Sequence, residues 1–246
     1  MKLALSNYSG GKDSHIAIYK AKIKGYNIPY VFTLNGGKNH YRAFNNFINV
    51  DLIKEHCRLM GINLIEHRFK VDKKFFEKGE DAYISVFCSG IKKVVSKLKS
   101  QKSQGDDITF FSSIDYELEE NDKILVRGIK KFLNESNIKF YSAVKGRSTL
   151  DILKLSLKLG IKSLIIGVER NIDIYWLGKI ITYDFLDYII NEKNKGNFID
   201  TNDFQTLVIE SPLMKKRINI KDFDIIYDPL KITTSILLKI KKFEIS

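Results

Sequence analysis

One short stretch, Ser9-Gly10-Gly11-Lys12-Asp13-Ser14, restricts the folds open to this 246-residue chain more than any other. It follows the apolar run Lys2-Leu3-Ala4-Leu5 and leads into Ser14 to Gly25, where Ile16, Ala17, Ile18, Tyr19 and Ala21 recur at helical spacing. The segment reads as strand, glycine turn, helix. Such a turn leaves backbone N–H groups unpaired at a helix N-terminus, aligned with the positive end of the helix dipole, which makes an anion site. Gly10 and Gly11 let the backbone take unusual φ values and approach a phosphate closely. Ser9 and Ser14 add hydroxyls, and Lys12 adds a point charge for bridging or leaving oxygens. Asp13 supplies a carboxylate able to cap the helix or hold Mg2+. The pattern is not a Walker A loop, which needs four residues between its first two glycines and a following Lys-Ser/Thr.

The α/β alternation continues. Ile28 to Leu34 is β-branched and aromatic, a second parallel strand ended by Asn35-Gly36-Gly37. Phe47 to Met60 has helical spacing and stops at Gly61, and Asn63 to Phe69 is the next strand. A polar stretch from Asp72 to Asp81 precedes a helix ending near Lys99, and Ser100 to Asp107 is a polar loop. Then come the strand Ile108 to Ser112, a helix from about Asp122 to Glu135, and the strand Asn137 to Tyr141. This order predicts a parallel sheet covered on both faces, with ligands gathering at the C-terminal ends of its strands. The Ser9–Ser14 turn and Ser112-Ser113 fall at such ends.

The remaining residues predict a smaller unit. It holds the helix Thr149 to Leu159, the strand Ser163 to Val168, a helix from about Asp184 to Glu192, and β-rich stretches at Thr206 to Glu210 and beyond Lys215. The expected organisation is an α/β domain at residues 1–142 followed by a smaller α+β domain at 143–246. With only three prolines and no flexible linker, the two are expected to pack closely.

No run of about 18 apolar residues occurs, and the Lys-bearing N-terminus leads straight into the glycine turn. Neither a membrane span nor a signal peptide fits, and a cytoplasmic location is expected. Cys57 and Cys88 are too far apart for a CxxC pair and too few for a zinc site or a disulfide framework, so they read as ordinary thiols. The net charge of +12 fits an acidic partner such as nucleic acid, or a lysine bias of the whole chain. Lysine, isoleucine and asparagine are abundant throughout, which favours the bias.

Ser-Gly-Gly-Lys-Asp-Ser after an N-terminal strand resembles the PP-loop of the N-type ATP pyrophosphatases. The resemblance implies a HUP-like (adenine nucleotide alpha hydrolase-like) parallel sheet whose loop grips the β,γ-pyrophosphate of ATP while the α-phosphate is transferred as AMP. It implies Ser9, Gly10, Gly11, Lys12, Asp13 and Ser14 as ATP ligands, with Lys12 and Asp13 catalytic and Asp13 on Mg2+. In relatives the end of the second strand and the next loop lie near the adenine, which makes Phe32, Thr33 and His40 candidates; Ser112 corresponds to a turn by the nucleotide. Several PP-loop enzymes that thiolate tRNA carry cysteine pairs that this chain lacks.

Three later stretches select a family. Asn137 to Tyr141 through Lys145-Gly146-Arg147 is similar to a segment of the diphthine–ammonia ligases (diphthamide synthetases) that ends in Pro-Leu-Trp before Gly-Arg. Trp176-Leu177-Gly178-Lys179 resembles that family's Trp-Leu-Gly-Arg/Lys element. Asp203-Phe204-Gln205-Thr206-Leu207-Val208, with Ser211-Pro212-Leu213-Met214-Lys215-Lys216, resembles its Gly-Glu-x-Gly-Glu-Phe/Tyr-x-Thr-Leu-Val and Pro-Leu/Phe-Phe-Lys-Lys runs. The resemblance implies an enzyme that uses ATP and ammonium to convert diphthine to diphthamide on translation elongation factor 2. Its acceptor side would be lined by Trp176, Gly178, Asp200, Asp203 and Thr206. A homodimer is compatible with this reading. The departures all fall on the acceptor half: Ala143-Val144-Lys145 stands for Pro-Leu-Trp, and Ile199-Asp200 and Asn202-Asp203 stand for the Gly-Glu pairs. They leave two alternatives, a paralogue that adenylates another acceptor such as tRNA or a small molecule, and a catalytically silent nucleotide-binding module.

Overall fold

A computed structural model describes residues 2–36, 49–100, 107–113, 120–169, 171–197, 199, 203–227 and 236–246. The first part alternates as the sequence predicts: β1 (Leu3–Ser6), α1 (Lys12–Ile23), β2 (Tyr30–Asn35), α2 (Val50–Met60), β3 (Asn63–Arg68), α3 (Lys73–Lys99), β4 (Ile108–Ser112), α4 (Glu120–Glu135) and β5 (Lys139–Ser142). β4 pairs in parallel with β1 and with β5, and β2 pairs in parallel with β3. Parallel bridges Leu3↔Asn27 and Asn7↔Phe32, with Tyr8 N–H donating to Phe32 O at 2.8 Å, set β2 beside β1. The strands therefore lie in the order β3-β2-β1-β4-β5.

Successive side chains of a strand point to opposite faces, and β1 shows why both faces need a cover. Ala4 joins the apolar cluster containing Ile16 and Ile18 of α1 and Leu52 and Ile53 of α2. Leu3 and Leu5 join the opposite cluster, with Phe87, Ile91 and Val94 of α3 and Ile129 and Leu133 of α4. The chain changes face after β3, so strand order reverses between β1 and β4, which is where ligands settle in open α/β sheets. The Ser9–Ser14 turn follows β1, and Ser112 ends β4.

One stretch departs from expectation. The polar segment after Asp72 is already helical from Lys73, and Gly79 (φ 51°, ψ −125°) breaks α3 into two pieces. Asp72 caps the first piece by accepting from Phe75 N–H at 3.1 Å, and Phe75 anchors it against Phe69 and Tyr83. One anchored aromatic among lysines gives no periodicity to read.

The later part comprises α5 (Thr149–Lys158), β6 (Lys162–Val168), a 3₁₀ turn at Ile174–Trp176, α6 (Tyr183–Asn194), β7 (Phe204–Glu210), β8 (Ile218–Tyr227) and β9 (Ile236–Ile245). Ser148 and Asp151 form a reciprocal capping box at the start of α5. The strands make an antiparallel sheet in the order β7-β6-β9-β8. Leu164, Ile166, Leu207 and Ile209 share one apolar cluster with α1 and α2, whereas Ile165 and Val168 pack with Phe185, Leu186 and Ile189 of α6. One face of this sheet thus lies on the helices that carry and back the glycine turn. Among the described residues no helix is long and apolar enough to cross a membrane.

Candidate active site

Helix α1 starts at Lys12, two residues before the predicted start, preceded by Gly11 with extended φ −80° and ψ 164° and no side-chain cap. Asp13 therefore sits in the first turn and does not cap it. The Ser14 hydroxyl donates to Gly11 O at 3.0 Å, accepts from Ser9 N–H at 3.2 Å and meets Ser9 Oγ at 3.2 Å, so the two serines brace the turn. Gly10 has φ +80°, and a Cβ there would lie 3.2 Å from Ile53 Cγ1 and 3.3 Å from His56 Nδ1. At Gly11 a Cβ would lie 3.2 Å from the carbonyl oxygen of Thr206. Both glycines are required because α2 and β7 press on the turn from behind.

β7 grips the turn directly. Lys12 N–H donates to Thr206 Oγ1 at 3.1 Å, and Val208 N–H donates to Gly10 O at 2.9 Å. The Lys12 side chain is only 1% exposed. Its ammonium lies 3.0 Å from Asp13 Oδ2 and 4.7 Å from the centre of the Phe204 ring. The second Asp13 oxygen, Oδ1, is buried without a hydrogen-bond partner among the described residues. An unsatisfied buried carboxylate oxygen in the first turn of a helix calls for a partner that the described residues do not supply. Among the described residues no cluster of three or more His, Cys, Asp or Glu side chains is arranged to hold a metal ion.

Behind the turn lies a buried polar network that no motif announces. The Tyr8 hydroxyl is 3.1 Å from Nδ1 of His15 and 3.1 Å from Nδ1 of His56. His15 Nε2 is 2.7 Å from Ser211 Oγ, which accepts from Leu213 N–H at 3.2 Å. Each neutral imidazole carries one N–H, so the phenol donates to one ring and accepts from the other. Burial drives His15 down to about 3, with the neighbouring His56 adding to the shift. Burial takes His56 down to about 4, against the opposing effects of a backbone hydrogen bond at Val208 and the charge of Glu55. Burial first, and Cys57 second, holds the Tyr8 hydroxyl well above its ordinary range. The network is therefore uncharged at neutral pH, and it ties β1, α1, α2 and the end of β7 together under the turn.

The other predicted residues fall into two groups. Thr33 is buried on β2, and its hydroxyl has no partner among the described residues; Asn7 Oδ1, at the end of β1 and bridged to Phe32, is likewise buried and unpaired. Asn7 follows β1, and Thr33 lies on the neighbouring strand β2, next to the bridge partner of Asn7. Ser112 is buried at the end of β4, where its carbonyl accepts from Ala143 N–H at 2.8 Å. Ala143 and Val144 of the altered tripeptide are buried in the core shared with α1, and the Lys20 ammonium donates to Ala143 O. His40 and Asp200 lie outside the described residues.

On the acceptor side, Trp176 is half-buried, packing at 5.0 Å on Phe185 and 5.4 Å on Tyr188. Phe185 meets Phe204 edge-on at 5.2 Å, so an aromatic run leads from Trp176 to the ring beneath Lys12. Gly178 has φ +79° and donates its N–H to Ile165 O at 2.8 Å, turning the chain back along β6. Asp203 accepts from Asn171 Nδ2 at 3.1 Å and adjoins Phe204 at the start of β7. The structure thus gathers Ser9 to Ser14, Thr206 and the beginning of β7 at one place. Tyr8, His15, His56, Ser211 and Phe204 also build that place, and the sequence does not mark them as site residues because their meeting depends on tertiary packing.

Residues 1–109 match the family model described as the diphthamide synthase N-terminal domain, and residues 148–243 match that of the diphthamide synthase C-terminal domain. Among solved structures, the fold is similar to a predicted subunit of tRNA methyltransferase from Methanocaldococcus jannaschii, at 19% identity and a TM-score of 0.43, over 86% of this chain and 98% of that one. No curated protein sequence matches. With the glycine turn at its predicted strand end and both halves matched, the chain belongs to the diphthamide synthase family, an ATP-utilising PP-loop family.

Proposed function

We propose that the chain is an ATP-dependent ligase that activates a carboxylate as its adenylate and amidates it with ammonium, the acceptor being diphthine on elongation factor 2. The observation that carries this reading is the PP-loop itself, set against β7 with Lys12 buried beside Asp13. In the reaction a carboxylate oxygen bonds to the α-phosphorus of ATP as the bond to pyrophosphate breaks. Ammonia, formed from ammonium by loss of a proton, then bonds to the acyl carbon as AMP leaves, and a second proton passes to solvent.

The chain's own groups act on charge. The positive end of α1 and the Lys12 ammonium would stabilise the departing pyrophosphate, and fixed donors aimed at developing charge are among the largest catalytic effects available to a protein. Ser9 and Ser14 keep the loop in shape. Asp13 Oδ1, buried without a protein partner among the described residues, would hold a Mg2+ ion, which would supply charge to neutralise the phosphates. The unpaired atoms of Thr33 and Asn7 would take hydrogen bonds from or to the adenine, and Ser112 would adjoin the nucleotide; His40, outside the described residues, is assigned to the adenine from the sequence alone. On the acceptor side, Asp203 and Asp200 would hold the cationic trimethylammonio group, and the Trp176 ring face would meet the same cation. Gly178 sets the turn that carries this tryptophan. In this proposal residues 1–142 handle ATP and residues 143–246 the acceptor, with β7 reaching across.

The test is incubation with ATP, Mg2+, ammonium and diphthine-bearing elongation factor 2. Formation of AMP and pyrophosphate that depends on acceptor and ammonium is expected. AMP formed instead with tRNA, or ATP binding without AMP, refutes the amide-ligase reading.

A further inference from the structure

We propose that Phe204 is a positioning residue for Lys12, its ring face holding the ammonium where the phosphates of the nucleotide arrive. The inference rests on the ATP-site reading given above. A lysine side chain 1% exposed cannot hydrate its charge, so protein groups must hold it. Two do: Asp13 Oδ2 at 3.0 Å and the Phe204 ring at 4.7 Å. A carboxylate neutralises the cation, and a phosphate must then compete with it. A ring face attracts the cation through its quadrupole and leaves the full positive charge available to an anion.

The strand register makes this arrangement specific. Phe204 and Thr206 stand two residues apart on β7 and so point to the same face. Thr206 Oγ1 takes the Lys12 N–H while Phe204 underlies the Lys12 ammonium, so one strand face grips both ends of a single lysine. Two residues further on, Val208 N–H fixes Gly10 O. The ring cannot swing away, because Phe204 is 2% exposed and meets the fully buried Phe185 at 79° between ring planes. Without the ring, Asp13 would be the one described group left to hold the ammonium. Phe204 thereby couples the acceptor-side aromatic cluster to the ATP lysine through Phe185 and Trp176.

The test compares the full chain with Phe204→Leu, which keeps an apolar filler but removes the ring, and Phe204→Tyr, which keeps the ring. Calorimetric titration with ATP and Mg2+ reads the affinity without requiring any acceptor. NMR of the Lys12 Hε protons reads the ring current directly. Upfield-shifted Lys12 Hε signals are expected in the wild type and in F204Y. In F204L the shift should vanish and ATP should bind roughly tenfold more weakly. Unshifted Lys12 Hε signals in the wild type overturn the inference, and so does an F204L protein that binds ATP like the wild type. Should F204L fail to fold, the wild-type and F204Y spectra still decide. A wild type that binds ATP and shows the shift but never forms AMP refutes the ligase reading and leaves the role of Phe204 standing.

Discussion

Acidification from pH 7 to pH 5 should destabilise the protein through the two histidines beneath the PP-loop. Their native values of about 3 and about 4 lie below the ordinary 6.5 of an unfolded histidine. Between those limits the unfolded chain binds protons that the native state refuses, so the stabilisation is present above about 6.5 and falls with pH through that window. At pH 5 each unfolded histidine gains about 1.5 units of protonation free energy, or about 2 kcal/mol, and the pair together about 4 kcal/mol. That is a large part of the 5–15 kcal/mol of an average domain. Urea denaturation at fixed ionic strength at pH 7, 6 and 5 measures the loss. His67, whose value burial and Lys93 also lower, acts in the same direction, so the decisive comparison is with variants. His15→Asn and His56→Asn should each remove about 2 kcal/mol of the pH dependence, whatever they do to absolute stability. A wild type equally stable at pH 7 and pH 5, or a double variant that keeps the full pH dependence, would refute the reasoning.

Gly10→Ala should cost about 2 kcal/mol, since φ +80° is strained for an L side chain and the new Cβ would crowd Ile53; wild-type stability in denaturant melts would contradict the packing described. Lys12→Ala and Asp13→Ala should each reduce AMP formation at least about 100-fold with an unchanged circular dichroism spectrum, and full activity in either removes that residue from the chemistry. Asp203→Ala should raise the acceptor KM about tenfold while leaving ATP affinity in place, and an unchanged acceptor KM and kcat would move the acceptor site elsewhere.

What could be read from the sequence follows the range of the forces involved. The glycine turn and the strand–helix alternation of a parallel sheet covered on both faces are written locally, in apolar spacing and in turn residues, and the structure agrees with them; the change of face after β3 shows only in the packing. The two-piece α3 was missed because its first turns depend on one cap and one anchored ring, Asp72 and Phe75, amid lysines. His15 and His56 look like ordinary helix residues until Tyr8 brings their rings to one hydroxyl. Thr206 was legible as a site residue through its resemblance to a family motif, but its contact, the Lys12 amide, appears only when β7 lies on the loop. Short-range patterns encode the ATP loop, and long-range packing decides what holds it.

The hydrogen bond from Lys12 N–H to Thr206 Oγ1 spans 194 positions of sequence, which matters while the chain is being made. At 5–20 residues per second, on the order of 10 to 40 seconds separate synthesis of the loop from synthesis of the strand that shapes it. During that interval the nascent chain carries the whole Ser9–Ser14 motif without Phe204, Thr206 or Val208 to set it. The contacts that hold the loop thus form only after β7 has left the ribosome, and a product truncated before β7 displays the signature without the grip.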